Sequence, residues 1–144
     1  MSPVELSDIQ ARRDAVVTMH IDAEAVRHDA AAVVATFKKP HYEVPSLGGV
    51  FDGASAVDGL IQSLLEGFPD FWLKERQRHH ASETVIVECL FGGTQMGVFA
   101  GIAPTQRKME VASALVFEFD GDGLVGERVY FDLATVLRQL GVIA

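Results

Sequence analysis

Phe117-Glu118-Phe119-Asp120-Gly121-Asp122-Gly123-Leu124-Val125-Gly126-Glu127-Arg128-Val129-Tyr130-Phe131-Asp132 is the stretch from which the fold is read. Two Asp-Gly pairs between apolar runs predict a hairpin turn joining two strands. Alternation along the second strand puts Arg128, Tyr130 and Asp132 on one face and Val129 and Phe131 on the other. A carboxylate and a phenol therefore share a face. If that face lines a cavity between sheet and helices, Asp132 is a buried acid with a raised pKa, suited to taking a proton from a weak carbon acid. Tyr130 would then donate to a developing enolate oxygen. Each residue also has a purely structural reading. Asp132 directly precedes Leu133-Ala134-Thr135-Val136-Leu137 and can cap a helix there, which would lower its pKa. Tyr130 can be an interior tyrosine with a satisfied hydroxyl, and Arg128 a solvated strand-end residue.

Upstream, Ser7 or Asp8 can cap a first helix carrying Ile9, Arg12, Arg13, Val16, Val17 and His20, with His20 on the inner stripe. Asp29 caps a second short helix, Ala30 to Ala35. His41 to Pro45 reads as an edge strand, followed by a Gly48-Gly49 turn and a short Val50-Phe51 strand that Asp52-Gly53 ends. Val57, Leu60, Ile61, Leu64 and Leu65 predict an amphipathic third helix from Ala54 to Gly67. Beyond Pro69, strands are expected near Phe71 to His80, Thr84 to Phe91, Met96 to Ala100, Lys108 to Phe119 and Leu124 to Phe131, with a final helical turn from Asp132 to Leu140. Helices first and strands second predict an α+β fold, a curved, mostly antiparallel sheet wrapped around the N-terminal helices.

The chain has 144 residues, 49% of them hydrophobic, enough for one domain spanning 1–144 with a substantial core. Twelve Lys and Arg against twenty Asp and Glu give a formal charge of −8. That sign disfavours nucleic acid and anionic membrane surfaces as partners. The single cysteine, Cys89, lies in an apolar run and is expected to be a buried, inert thiol in a reduced compartment. The first six residues show neither a basic nor an apolar leader segment, and no run is long and apolar enough to span a membrane, so a cytoplasmic protein is expected.

Other polar residues suggest less. His79 and His80 are neighbours on a strand and point to opposite faces, so they cannot chelate one ion, and His20 and His28 stand too far apart. No metal is expected. His79 shares parity with Phe71, Leu73 and Gln77 and is the candidate pocket member of the pair. Glu88, inside an apolar strand, calls for a partner such as Arg128. The glycines Gly92, Gly93, Gly97 and Gly101 lack the context of a phosphate loop, and there is no nucleophile elbow.

The order Tyr42-x-x-Pro45, Phe51-x-Gly53, Gly67-Phe68-Pro69-Asp70, Gly93-Thr94, Gly97-x-Phe99-x-Gly101, Pro104-Thr105, Tyr130-Phe131-Asp132 and Gln139-Leu140-Gly141 resembles the SnoaL-like polyketide cyclases of the nuclear transport factor two-like superfamily. The resemblance runs from about Val16 to Gly141. It implies a cone-shaped, cystatin-like α+β barrel with a deep apolar cavity, assembled as a homodimer or higher homo-oligomer. It also implies intramolecular aldol ring closure without a cofactor, with Asp132 as the proton shuttle. Tyr130, His20, Tyr42, His79, Phe117 and Arg128 are the candidate residues contacting a hydrophobic substrate. Isomerase or epoxide hydrolase chemistry would use the same cone with other acids. The competing reading is a non-enzymatic module that holds a hydrophobic small molecule while Asp132 serves only as a cap, and a third is a domain without activity.

Overall fold

The computed structural model describes residues 6–144; residues 1–5, which make up most of the amino-terminal stretch read above, lie outside the described residues. The chain forms α1 (Asp8–Ala25), α2 (Ala30–Ala35), β1 (His41–Val44), a 3-10 turn (Pro45–Leu47), β2 (Gly49–Asp52), α3 (Ala54–Gly67), β3 (Trp72–His80), β4 (Thr84–Thr94), β5 (Lys108–Asp120), β6 (Gly123–Phe131) and α4 (Leu133–Gln139). No helix of the described residues is long and apolar enough to cross a membrane.

Local chemistry explains the boundaries. Ser7 caps α1 in a reciprocal pair with Gln10, and Asp29 accepts the Ala32 N–H at the start of α2. The expected hairpin joins β5 to β6, and Gly121 takes the left-handed conformation (φ 61°) at its tip. The sheet order is β2-β1-β6-β5-β4-β3, antiparallel except where β1 runs parallel to β6. It curves around the helices but stays open, with β2 and β3 at its edges.

Two bulges set which side chains point inward. One falls between Glu75 and Gln77 in β3, the other opposite Glu118 and Phe119 near the start of β6. Each adds a residue to one strand and so inverts the in/out pattern beyond it. The core between sheet and helices includes Val17, Val33, Tyr42, Ile61, Phe68, Val85, Phe117 and Leu124, each at most 2% exposed. Cys89 is buried on the sheet, and burial pushes its thiol up to about 12, as expected of an inert cysteine.

One expected strand is absent. β4 continues to Thr94, and residues 95–107 form a loop with a single bridge between Phe99 and Ile102 in place of a Met96 to Ala100 strand. The cause is a tether to α3. The amides of Met96 and Gly97 both donate to the Gly67 carbonyl (2.8 and 3.2 Å), and Gly97 packs so closely that a Cβ there would stand 2.3 Å from the Glu66 carbonyl oxygen. Buried Gln95 ties the two ends of the loop together. Its amide donates to the Ile102 and Ala103 carbonyls, and its oxygen accepts from the Thr105 amide and hydroxyl. Val98, Phe99 and Ala100 are thereby held at the wall of the cavity described next.

Candidate active site

A cavity of about 520 Å³ lies between α3, the inner sheet face and the loop after β4. Phe51, Phe71, Phe91, Phe99 and Phe131 line it with Leu60 and other aliphatic side chains. Among the described residues its ionisable lining consists of Glu24, Glu127 and Tyr42. All three converge at one end.

The convergence follows from spacing. His20 and Glu24 are four residues apart on α1 and share a helix face. Tyr42 of β1 and Glu127 of β6 are paired in the parallel ladder, so their side chains leave the sheet on the same side. Where α1 crosses these strands, His20 Nε2 stands 2.7 Å from Glu127 Oε1, 3.0 Å from Tyr42 Oη and 3.5 Å from Glu24 Oε2. The Tyr42 hydroxyl donates to Glu24 Oε2 at 3.2 Å. On the other side of the ring, Nδ1 lies 2.8 Å from Thr36 Oγ1, whose own hydrogen goes to the Val33 carbonyl at 2.7 Å. Thr36 can therefore only accept, so Nδ1 carries a hydrogen and Nε2 faces the two carboxylates. Phe37 and Phe117 meet the imidazole edge-on, each at 5.3 Å between centroids, and close it off from solvent.

The electrostatics follow from this geometry. Burial alone would push the His20 imidazole down, but Glu127 and Glu24 outweigh it and raise it to about 9. Burial raises the Glu127 carboxyl, and the imidazolium draws it only part of the way back. Burial and the two carboxylates hold the Tyr42 phenol well above its ordinary value, so it remains a donor. The pair is thus an imidazolium beside a carboxylate, both essentially sealed, while Glu24 is the acid at the cavity edge. His20, Glu24 and Glu127 offer one ligand atom each within 4.8 Å of one another, the kind of donor set that can hold a divalent cation. The 2.7 Å separation of Nε2 and Oε1 is that of groups sharing a proton, whereas two ligands on one metal stand about 3 Å or more apart.

Of the residues singled out in the sequence, His20 and Tyr42 meet in this cluster and Phe117 packs on it. The others lie elsewhere. Arg128, Tyr130 and Asp132 do share a face, but it is the outer one, because Val129 and Phe131 turn into the cavity. Asp132 is fully exposed, the reverse of the buried acid with a raised pKa. It caps α4, accepting the Thr135 hydroxyl (2.7 Å) and the Ala134 amide (3.1 Å), and these bonds lower its carboxyl pKa. Arg128 pairs with Glu118 at 2.8 Å, not with Glu88, and Tyr130 is 43% exposed. His79 bonds Glu88 at 2.6 Å on the outside, because the β3 bulge breaks its parity with Phe71 and Leu73. Sequence reasoning missed Glu24 and Glu127. Both carried a signal: Glu24 repeats the His20 position one turn on, and Glu127 is the charged residue on the apolar face of β6.

Several of the sequence motifs prove structural. Asp70 accepts the amide and hydroxyl of Thr94 (2.6 and 2.8 Å), chiefly the amide, and is held below its ordinary value. Gln139 bonds the backbone of Glu110 in both directions, tying α4 to β5.

An open curved sheet closed by helices over an apolar cavity places the chain among the nuclear transport factor two-like and ketosteroid isomerase-like α+β folds. The SnoaL-like polyketide cyclase model matches residues 15–140, and the chain belongs to that family. Solved structures agree on the fold. A protein from Jannaschia sp. CCS1 assigned to the SnoaL-like polyketide cyclases superposes with a TM-score of 0.86 at 18% identity, over 99% of this chain and all of its own. A phenazine biosynthesis-related protein from Pseudomonas aeruginosa gives 0.81 at 16%, covering 99% of this chain and 90% of the other. A hypothetical protein from Catenulispora acidiphila with the ketosteroid isomerase-like fold, solved with trimethylamine, gives 0.76 at 19%, covering 89% and 93%. No curated protein matches the chain.

Proposed function

We propose that the protein is a polyketide cyclase-like acid/base enzyme that moves a proton on a hydrophobic carbonyl compound held in the cavity, with Glu24 in place of Asp132 as the group that transfers it. The observation that carries this reading is the placement of the polar lining: a cavity walled by phenylalanines has its ionisable groups gathered at one end, backed by a buried imidazolium.

The chemistry balances without a further reactant. The Glu24 carboxylate takes a proton from the carbon next to a carbonyl and becomes a carboxylic acid, leaving an enolate. The enolate carbon bonds to a second carbonyl carbon of the same molecule, whose C=O becomes an alkoxide, and Glu24 returns the proton to that oxygen. Tyr42 and the His20–Glu127 pair hold Glu24 in place and limit the change in local charge while the proton is away. The apolar walls orient a folded substrate and keep bulk water from the enolate.

The reading is tested by α-proton exchange of 2-tetralone in deuterated water, followed by proton NMR. The protein should accelerate exchange over buffer and saturate with ketone. Gly59 lines the cavity and has open space where a Cβ would stand, so Gly59→Leu fills the cavity and should abolish the acceleration. Exchange that survives Gly59→Leu would place the reaction elsewhere. Ketone binding without exchange would leave a binding module.

A further inference from the structure

The charge at the polar end of the cavity limits what can enter. Glu24 and Glu127 bring two carboxylates and His20 one positive charge, so the cluster carries a net single negative charge. No lysine or arginine is among the described residues that line the cavity. Glu127 Oε1 lies 2.7 Å from His20 Nε2, so the Nε2 hydrogen of the imidazolium goes chiefly to Glu127, and Glu24 is left with the Tyr42 hydroxyl as its near donor. An anionic ligand would meet net repulsion in a medium of low dielectric. A neutral one would leave the imbalance as it is.

We propose that the ligand is a hydrophobic amine, protonated, whose ammonium group docks on Glu24 while its ring or chain fills the phenylalanine-lined space. Glu24 is the member of the cluster a ligand reaches, being 9% exposed where Glu127 is 1%. The ammonium supplies the positive charge that Glu24 lacks, with N–H donors to its carboxylate, and aromatic walls favour a cation that has left water. This rests on the reading of the cavity as the binding site and narrows its substrate to amino ketones over keto acids, with the nitrogen next to the reacting carbon. There the ammonium also makes the neighbouring C–H more acidic, which suits removal of that proton by Glu24.

The test is calorimetric titration at neutral pH with three compounds on one ring system: 2-aminotetralin, 2-tetralol and tetralin-2-carboxylate. The amine should bind about tenfold or more tighter than the alcohol, and the carboxylate more weakly than either. Glu24→Gln should erase the amine's advantage. The proposal is overturned if wild-type protein fails to bind the amine, holds the alcohol or the carboxylate as well as the amine, or keeps its preference in Glu24→Gln. Binding of Mn²⁺ or Zn²⁺ that displaces the amine would also overturn it, making the cluster a metal centre. The wild-type comparison needs no variant to fold. Amine preference without ketone exchange would leave this inference standing and remove the catalytic one; exchange without amine preference would do the opposite.

Discussion

Glu24→Gln should reduce α-proton exchange of 2-tetralone by about a hundredfold or more, the usual contribution of a positioned acid/base group. The amide keeps the size of the side chain and still accepts the Tyr42 hydrogen bond at 3.2 Å, so fold and ketone affinity should be retained. It cannot take a proton from carbon. Asp132→Asn should leave exchange unchanged, because Asp132 is fully exposed on the outer side and its oxygens are committed to Ala134 and Thr135. Exchange rates of both purified variants, beside wild type, decide between the two carboxylates. Loss in Asp132→Asn with normal rates in Glu24→Gln would restore the reading suggested by Tyr130-Phe131-Asp132.

The second large effect falls on stability. His20→Leu leaves Glu127 buried without its cation, and Glu127→Leu leaves the imidazole without its main counter-charge; each is expected to cost about 3–5 kcal/mol by chemical denaturation. The double variant should recover most of that loss, because an apolar pair fills the space without stranding a charge, and Glu24 keeps the Tyr42 hydroxyl. Additive losses would mean that the two residues do not act as a pair. The pair also gives stability a pH dependence. His20 has a folded value of about 9 against an ordinary 6.5, so its contribution is complete below about 6.5 and is lost as pH rises through about 9. Glu127, also raised, acts in the same direction from its ordinary value upward. Wild-type protein should therefore weaken on the alkaline side, and the double variant should lack that slope.

Much of the fold was readable because its signals are local. Asp-Gly pairs mark the β5–β6 hairpin, Ser7 and Asp29 mark helix starts, and apolar spacing marks α3. The Met96 to Ala100 segment misled because its conformation is set by Gly67, some thirty residues away, rather than by its own residues. In the site, parity correctly divided β6 into two faces, but parity alone does not say which face is the interior. The polar face of Arg128, Tyr130 and Asp132 looked like chemistry and is the outer surface. The apolar face of Val129 and Phe131 is the cavity wall, and Glu127 stands on it as the exception. His79 was misplaced for another reason, since the bulge between Glu75 and Gln77 carries no glycine or proline to announce it. His20 and Tyr42 were found individually, but their meeting depends on α1 crossing the parallel β1–β6 pair, which no short-range pattern records.

The chemistry proposed for the cavity requires a charged imidazole sealed beneath it. The most direct measurement is a pH titration of the His20 ring by nitrogen NMR in histidine-labelled protein. The structure predicts that both ring nitrogens stay protonated through neutrality, that the proton on Nε2 is lost near pH 9, and that Nδ1 keeps its hydrogen toward Thr36 throughout. A His20 ring that is neutral at pH 7, or that titrates near its ordinary 6.5, would contradict it.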